Sequence, residues 1–568
     1  MSGRGLQRRV SLAGGIAFLA FALSCASAWA QNPITDRPSS RPLEQPGFIP
    51  QQPPGGFELP PLPQPQPETP EALEAGPWLD VKGFVFQGNR VVPTAALQTL
   101  AEPYSGRRVS VGELEQLRQT ISRYYVDRGY INSGALLADD FYQDGIVHFS
   151  IVEGRIDQVH LQGLGRLRPA YVEDRLVRGD EPLNVNVLQE RFQLLLADPL
   201  FAKVNARLEP GAQPGSATLD VDVTRARPWE LAVYANNYQA PSTSPEAAGV
   251  MGTLRNLTGL GDTLDATLQQ GQGNNSEYVF NWVVPVRYGT SLRARYDHQN
   301  SEVLQEPFDA FDLQSSFNAY ELGVTQTLID TLARNLTLGL TYTYRENTTT
   351  LLGEPLSVVP GEPTGTSRVD ALRFGQEYLR SWRTQALALR STFSWGISNS
   401  QPGSVPPAVA PLVPAEHYFF WLGQAQYTRL LLPNGASVSL RGTVQWTNDR
   451  LVPIEQIAVG GAYSVRGYPT NLLVRDKGYF GTIELRYPLF DRPAQRNRLF
   501  VIPFFDFGAA WNVGADPQDI RSVGLGLNWQ FHGLTAELYY GYRLVDINLH
   551  TGNTLQDDGI GFQVRYQF

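Results

Sequence analysis

A chain of 568 residues is too long for one ordinary domain, and its 41 Pro, 53 Gly, 25 Tyr, 27 Phe and 10 Trp against 18% charged residues suit many turns and aromatic β-strands. A formal charge of −9 without a basic stripe argues against nucleic acid as a partner. Six scattered His, a single Cys, no Gly-x-Ser-x-Gly and no Gly-Lys-Ser/Thr leave no inventory for an enzyme, a metal site or a bound cofactor.

Residues 1–30 read as an export signal. Arg4, Arg8 and Arg9 precede the apolar run Leu12 to Leu23, and Ala28-Trp29-Ala30 has the small-x-small form of a cleavage site. Cys25, the lone cysteine, falls inside this segment, where Ala22 and Leu23 suit lipoprotein processing poorly. No other apolar run reaches about 18 residues, so a membrane-spanning protein of this sequence has to be a closed barrel. Residues 31–77 form a Pro-rich linker, extended and without a packed core.

Two repeats follow with a period of about 75 residues, over 78–154 and 155–227. Each reads strand, helix, helix, strand, strand. The first strand is Val81 to Phe86 in one copy and Val159 to Leu161 in the other. Leu114, Leu117, Ile121 and Tyr125 make an apolar helical stripe, matched by Leu188, Phe192 and Leu195. The closing strands are Gly134 to Leu137 and Val147 to Val152, then Phe201 to Leu208 and Thr218 to Val223. The stripes are core packing and carry no ligand site.

Over 228–568 the period becomes two. Leu336, Leu338, Leu340, Tyr342 and Tyr344 alternate with Thr337, Gly339, Thr341 and Thr343, and Ile560, Phe562, Val564, Tyr566 and Phe568 alternate with Gly561, Gln563, Arg565 and Gln567. Strands of about nine to eleven residues with aromatic ends fit a tilted membrane barrel better than a soluble sandwich. Sixteen are predicted, near 229–237, 249–256, 263–270, 276–285, 290–298, 316–328, 335–345, 369–379, 384–396, 417–431, 436–446, 481–487, 499–511, 521–531, 534–544 and 559–568. Tight turns alternate with long loops, and the longest, 447–480, is expected on the outer side.

That loop contains Gly460-Gly461 and then Val465-Arg466-Gly467-Tyr468. It resembles the signature loop of the outer-membrane assembly and secretion superfamily, which folds back into the barrel lumen. Phe86-Gln87-Gly88-Asn89, Gly129-Tyr130, Asp144-Gly145 and Val152-Glu153-Gly154 match the first POTRA domain of the two-partner secretion transporters. These are the TpsB proteins of the haemolysin and filamentous-haemagglutinin secretion type, and the resemblance covers about 78–568. It implies α+β periplasmic POTRA repeats followed by an all-β transmembrane barrel in the bacterial outer membrane. The POTRA domains would recognise an unfolded exoprotein, a large β-helical client of the TpsA kind, and the barrel would secrete it.

The guanidinium of Arg466 is a planar fork suited to a carboxylate. Glu484 and Asp506 are its two candidate partners in the lumen; the resemblance puts the acidic partner at Asp506, with Glu484 nearby. Phe568, ending a strand of perfect alternation, resembles the signal read by the barrel-assembly machinery. Rival readings are an assembly and insertion factor, which two repeats rather than a longer array disfavour, and a passive porin, which needs neither the repeats nor the Arg466 loop. Only Glu68 to Ala75 is suited to a plug helix.

Overall fold

The computed structural model of the protein describes residues 56–58 and 77–568, apart from 307, 358, 361, 363, 400–404, 409 and 548–553. The expected signal segment 1–30, the stretch Glu68 to Ala75 and most of the expected linker therefore lie outside the described residues. The chain forms two compact units, one comprising Gln51–Pro228 with Thr258–Gly261, the other carrying Trp229–Leu257 and Asp262–Phe568.

The first unit opens on a short strand, β1 (Gly56–Glu58). The first repeat contains β2 (Trp78–Val81), β3 (Gly83–Gln87), α1 (Thr94–Ala101), β4 (Arg107–Ser110), α2 (Val111–Val126), β5 (Gly134–Gln143) and β6 (Ile146–Val152). The second contains β7 (Arg155–Gln162), α3 (Ala170–Leu176), α4 (Val185–Leu196), β8 (Phe201–Pro210) and β9 (Ser216–Arg225). Both sheets share one topology. The last strand is central, parallel to the first and antiparallel to the second, giving β3-β6-β5 and β7-β9-β8. The predicted stripes form the cores: Leu114, Leu117, Ile121 and Tyr125 are fully buried, as are Leu188, Phe192 and Leu195 to within a few per cent.

One predicted strand is two. Val81 to Phe86 breaks at Lys82, whose N–H donates to the carbonyl of Gly145 at 2.7 Å while the carbonyl of Val81 accepts from Gly106 at 2.8 Å. β2 thereby leaves the main sheet and pairs with β4, Trp78 opposite Ser110. Ser110 then caps α2: its hydroxyl accepts from the N–H of Glu113, and the Glu113 carboxylate accepts from the N–H of Ser110.

Two of the segments that carry the POTRA resemblance, 86–89 and 152–154, meet at one corner. The Glu153 carboxylate accepts from the backbone N–H groups of Arg90 (2.7 Å) and Val91 (2.8 Å) and from the Tyr125 hydroxyl (3.2 Å). Burial and the adjacent Glu153 charge hold the Tyr125 phenol protonated, far above its ordinary value. Gly88 turns with φ +94°, and a Cβ there would stand 2.3 Å from the carbonyl oxygen of Ile151. Gly88→Ala should therefore cost more stability than Glu153→Gln, which leaves an acceptor in place and costs about 1–2 kcal/mol. Urea unfolding of a 77–227 fragment measures both; equal losses would show that the turn has room.

The second unit is a closed barrel. Its strands are β10 (Trp229–Asn236), β11 (Ala247–Arg255), β12 (Thr263–Gly271), β13 (Ser276–Arg287), β14 (Thr290–Glu302), β15 (Leu313–Asp330) and β16 (Arg334–Leu351). After a two-residue spur, β17 (Glu354–Pro355), come β18 (Thr366–Ser381), β19 (Gln385–Asn399), β20 (Tyr418–Leu430) and β21 (Ser437–Thr447). Two short strands, β22 (Ile457–Val459) and β23 (Leu473–Arg475), pair with each other inside the following loop. The wall then resumes with β24 (Lys477–Arg492), β25 (Asn497–Trp511), β26 (Gln518–Phe531), β27 (Leu534–Arg543) and β28 (Ile560–Gln567).

Setting aside β17, which pairs with β16, sixteen antiparallel strands close where β28 meets β10, Ala232 opposite Gln567 through Asn236 opposite Gln563. All sixteen predicted strands are present. Several are longer than predicted: β16 continues to Leu351, pairing Glu346 with Arg368 and Thr348 with Thr366. Those residues lack an apolar face, so hydropathy alone stops where backbone pairing continues.

The two faces obey the pleat. On β15 and β16 Leu322, Val324, Leu340 and Tyr342 point outward and are exposed, while Glu321, Thr343 and Arg345 point into the lumen and are buried. Among the described residues no helix is long and apolar enough to cross a membrane; the strands carry the apolar belt instead.

Candidate functional site

The connection 448–476, between β21 and β24, is the longest between neighbouring wall strands and folds back into the lumen. Its course is set by alternation on the wall. On β24 Tyr479, Ile483, Leu485 and Tyr487 face outward, so Thr482, Glu484 and Arg486 face in; on β25 Asp506 is fully buried.

Arg466 meets both acidic candidates. Its Nε and Nη2 each lie 2.8 Å from the two oxygens of Asp506, a bidentate pair, and its backbone N–H donates to Asp506 Oδ2 at 3.0 Å. Thr482 Oγ1 donates to Asp506 Oδ1 at 2.8 Å. Nη1 lies 2.7 Å from Glu484 Oε1, which also accepts from Arg441 at 2.9 Å. The guanidinium plane stands over the Phe504 ring, 3.6 Å from its centroid. A buried cation is tolerable only when its donors are met, and here three carboxylate contacts and a ring face meet them.

The rest of the motif fixes the tip. Val465 is fully buried and packs with Ile457, Val459, Tyr468, Leu473, Ala510 and Ile520. Gly467 turns with φ +89°, and a Cβ on it would stand 2.6 Å from the carbonyl oxygen of Gly541; a Cβ on Gly541 would stand 2.7 Å from Gly467 in return. The Tyr468 hydroxyl lies 2.9 Å from the Arg521 carbonyl and 2.8 Å from that of Val545. Arg543 donates to the Gly467 carbonyl at 2.5 Å. Thr470 reaches the strand seam: its N–H donates to Gln556 and its hydroxyl to the Tyr238 carbonyl, while Gln556 donates to the carbonyls of Asn237 and Gln239. The tip is thus tied to the ends of both strands that close the barrel.

A second charged anchor escaped the sequence reading. Glu455, fully buried at the loop's neck, accepts from Arg373 of β18 at 2.6 and 2.8 Å and lies 3.6 Å from Arg345 of β16. Arg345 lies 3.6 Å from Glu321 and donates to the Ile454 carbonyl; Arg373 also donates to Ser394 at 2.8 Å. Beside it Leu451, Val452 and Ile454 pack on Phe317, Ala319, Val369 and Phe420. Asp476, almost fully buried at the loop's other end, accepts from the N–H groups of Leu451 and Val513 and from Gln456. A signal existed for the arginines: Arg345 continues the inward series Thr337, Gly339, Thr341, Thr343, and Arg373 lies between outward Leu372 and Phe374. None existed for Glu455, whose segment has no period.

Residues 215–530 match the haemolysin secretion/activation proteins ShlB/FhaC/HecB, and residues 79–154 match the ShlB-type POTRA domain. The heme/hemopexin transporter protein HuxB of Haemophilus influenzae (strain 86-028NP) is 23% identical over 473 residues, 79% of this chain and 80% of that protein. The outer membrane transporter CdiB of Escherichia coli is 23% identical over 451 residues, 76% of this chain and 72% of that protein. Among solved structures, CdiB from Escherichia coli shares the fold with a TM-score of 0.68 at 19% identity, covering 89% of this chain and 93% of that one. CdiB from Acinetobacter baumannii does so at 0.61 and 16%, with the same coverage. Because the family match spans more than half of the chain, the protein belongs to the ShlB/FhaC/HecB haemolysin secretion/activation family, the two-partner secretion transporters of the outer membrane with POTRA repeats in the periplasm.

Proposed function

We propose that this protein receives an unfolded exoprotein on its POTRA repeats and passes it through a barrel whose resting lumen is occupied by the loop 447–480. The observation that carries this reading is the Arg466 guanidinium, buried in the lumen on Asp506 and Glu484. A passive porin has no use for a loop held so deeply. The client is a large β-helical exoprotein of the TpsA kind; HuxB and CdiB, by their names, serve haem/hemopexin and an outer-membrane transport role. During biogenesis the terminal strand ending at Phe568 is read by the barrel-assembly machinery, and outer-membrane lipids surround the apolar belt. The domain limits we assign are 1–30 for the signal, 31–77 for the linker, 78–154 and 155–227 for the repeats and 228–568 for the barrel.

Coexpression with a large β-helical exoprotein from the same genome tests the reading: a client should reach the medium only when this chain is present. Export that is equally efficient without it would end the proposal.

Three further outcomes follow from the loop's seat. Arg466→Ala and Asp506→Ala should each abolish most secretion with the barrel still inserted, and the double variant should be no worse than either, because paired residues are not additive. Losses that simply add would dissolve the pair as a functional unit. Deleting 450–475 should raise or destabilise single-channel conductance in planar bilayers; unchanged conductance would place the loop outside the ion path. Glu455→Ala takes the counter-charge from Arg373 and leaves Arg345 to Glu321, and should cost about 3–5 kcal/mol, seen as a lower temperature for the heat-induced gel-mobility shift of the barrel.

A further inference from the structure

Over β24–β28 the lipid-facing side of the wall is uneven. Strand pairing sets Phe490, Leu499, Trp529, Ala536 and Val564 side by side in one row across the five strands. Four of these side chains are bulky and one is a methyl group. The Trp529 indole N–H donates to Asn497 Oδ1 at 3.0 Å, which holds the ring to one side, and Leu527, Leu538 and Phe562 form the next row. The result is a groove of about 560 Å³ on the outside of the barrel, with Ala536 at its floor and a lining that is almost wholly apolar.

Its position selects the leaflet. The groove lies at the end of the barrel where Val233 of β10 meets Tyr566 of β28, close to Trp229, and the POTRA repeats precede Trp229 in the chain. That end faces the periplasm, and the exposed Trp529, Phe531, Tyr566 and Phe568 mark the level of the lipid headgroups there. The turn between β24 and β25 brings three arginines to the same level. Arg498 lies 2.8 Å from Asp491 and is neutralised. Arg492 and Arg496 are exposed, and neither joins an ion pair among the described residues. The Arg492 guanidinium stands 5.7 Å from the centroid of the Phe490 ring, at the groove's rim. The Arg496 carbonyl accepts from the N–H of His532, the residue after Phe531.

Lipid tails are as apolar as leucine, so holding one in a groove gains no hydrophobic free energy. The groove contributes shape, and the arginines contribute charge. A guanidinium near an anionic headgroup is worth about fivefold in affinity, whereas a zwitterionic headgroup offsets its phosphate with its own ammonium. We propose that the groove over β24–β28, with Arg492 and Arg496, is a binding site for an anionic glycerophospholipid of the periplasmic leaflet. One acyl chain lies along Ala536, and the headgroup phosphate sits between the two guanidiniums. The site gives the outer wall a ligand that the secretion reading does not require.

The test is native mass spectrometry of the full chain in detergent, supplied with phosphatidylglycerol and phosphatidylethanolamine in equal amounts. The wild type should retain phosphatidylglycerol in preference to phosphatidylethanolamine. Arg492→Gln with Arg496→Gln should weaken phosphatidylglycerol retention about 25-fold, fivefold for each guanidinium, and leave phosphatidylethanolamine unchanged. Arg383→Gln with Arg429→Gln removes two exposed arginines from the same end of other strands and should keep the preference. Ala536→Phe fills the groove and should lower the retention of both lipids. The heat-induced gel-mobility shift verifies that each variant barrel is folded. Equal retention of the two lipids by the wild type would overturn the proposal. So would a preference that survives the loss of Arg492 and Arg496 or falls as far in the Arg383 and Arg429 variant, or an Ala536→Phe chain that holds phosphatidylglycerol as well as the wild type. No step measures export, so such a failure would leave the secretion reading standing.

Discussion

Backbone N–H and C=O groups inside a bilayer have no water to turn to, and every other feature of the second unit follows from that constraint. With no helix of the required length among the described residues, the strands must pair on both sides and the sheet must close, as β28 does on β10. Closure of sixteen strands leaves a lumen too wide for side chains from the wall to fill. The alternation that supplies an apolar exterior necessarily supplies a polar interior, so the lumen is a wet channel unless something enters it. The loop 448–476 enters it, and its own composition shows the problem it must solve. It buries Val452, Ile457, Val459, Val465 and Tyr468 in a space lined by charged and polar residues.

It solves this with patches of both kinds. Apolar neck residues sit on Phe317, Val369 and Phe420, and apolar tip residues on Ala510 and Ile520. Between them the charges are paired by sign: the loop brings an anion, Glu455, to Arg373 and Arg345, and a cation, Arg466, to Asp506 and Glu484. At an effective dielectric of about 20 a pair at contact attracts by roughly 4 kcal/mol, and desolvation removes most of that. Net stability is therefore not what the charges contribute. Their effect is asymmetric: seated, they nearly break even, while a displaced seat takes the counter-charges from Glu455 and Arg466 of the loop and from Arg373 and Asp506 of the wall. They fix where the loop sits and in which register.

How much of this was legible follows from which signals are local. The strand period was readable because each strand carries its own alternation, and even β16 was misjudged only where polar pairing outran the apolar face. The partners of Arg466 were narrowed to Asp506 and Glu484 because both lie on the two strands after the loop; the choice between them dissolved, since one guanidinium serves both. Glu455, Arg373 and Arg345 come from three separate segments, and no spacing in the chain connects them. The break at Lys82 depends on Gly106 and Gly145, tens of residues downstream. The strand at Gly56–Glu58 was hidden for a different reason: its Pro-rich surroundings carry no strand period, and its pairing rests on three residues.

The two anchors also constrain how the loop can leave. Arg345 and Arg373 stand on the seventh and eighth wall strands, Glu484 and Asp506 on the twelfth and thirteenth, so no single shift of the wall loosens both. At the tip, Gly467 and Gly541 approach so closely that neither tolerates a Cβ, which makes the seat a discrete fit rather than a gradual one. A tip withdrawn by even a small distance loses the bidentate geometry at Asp506 at once, because an arginine fork binds in one plane. The cost falls only if water or a passing chain meets the freed charges as they separate. An extended polypeptide offers both a donor and an acceptor at every residue, so the lumen is most easily vacated when something peptide-like is there to replace the loop.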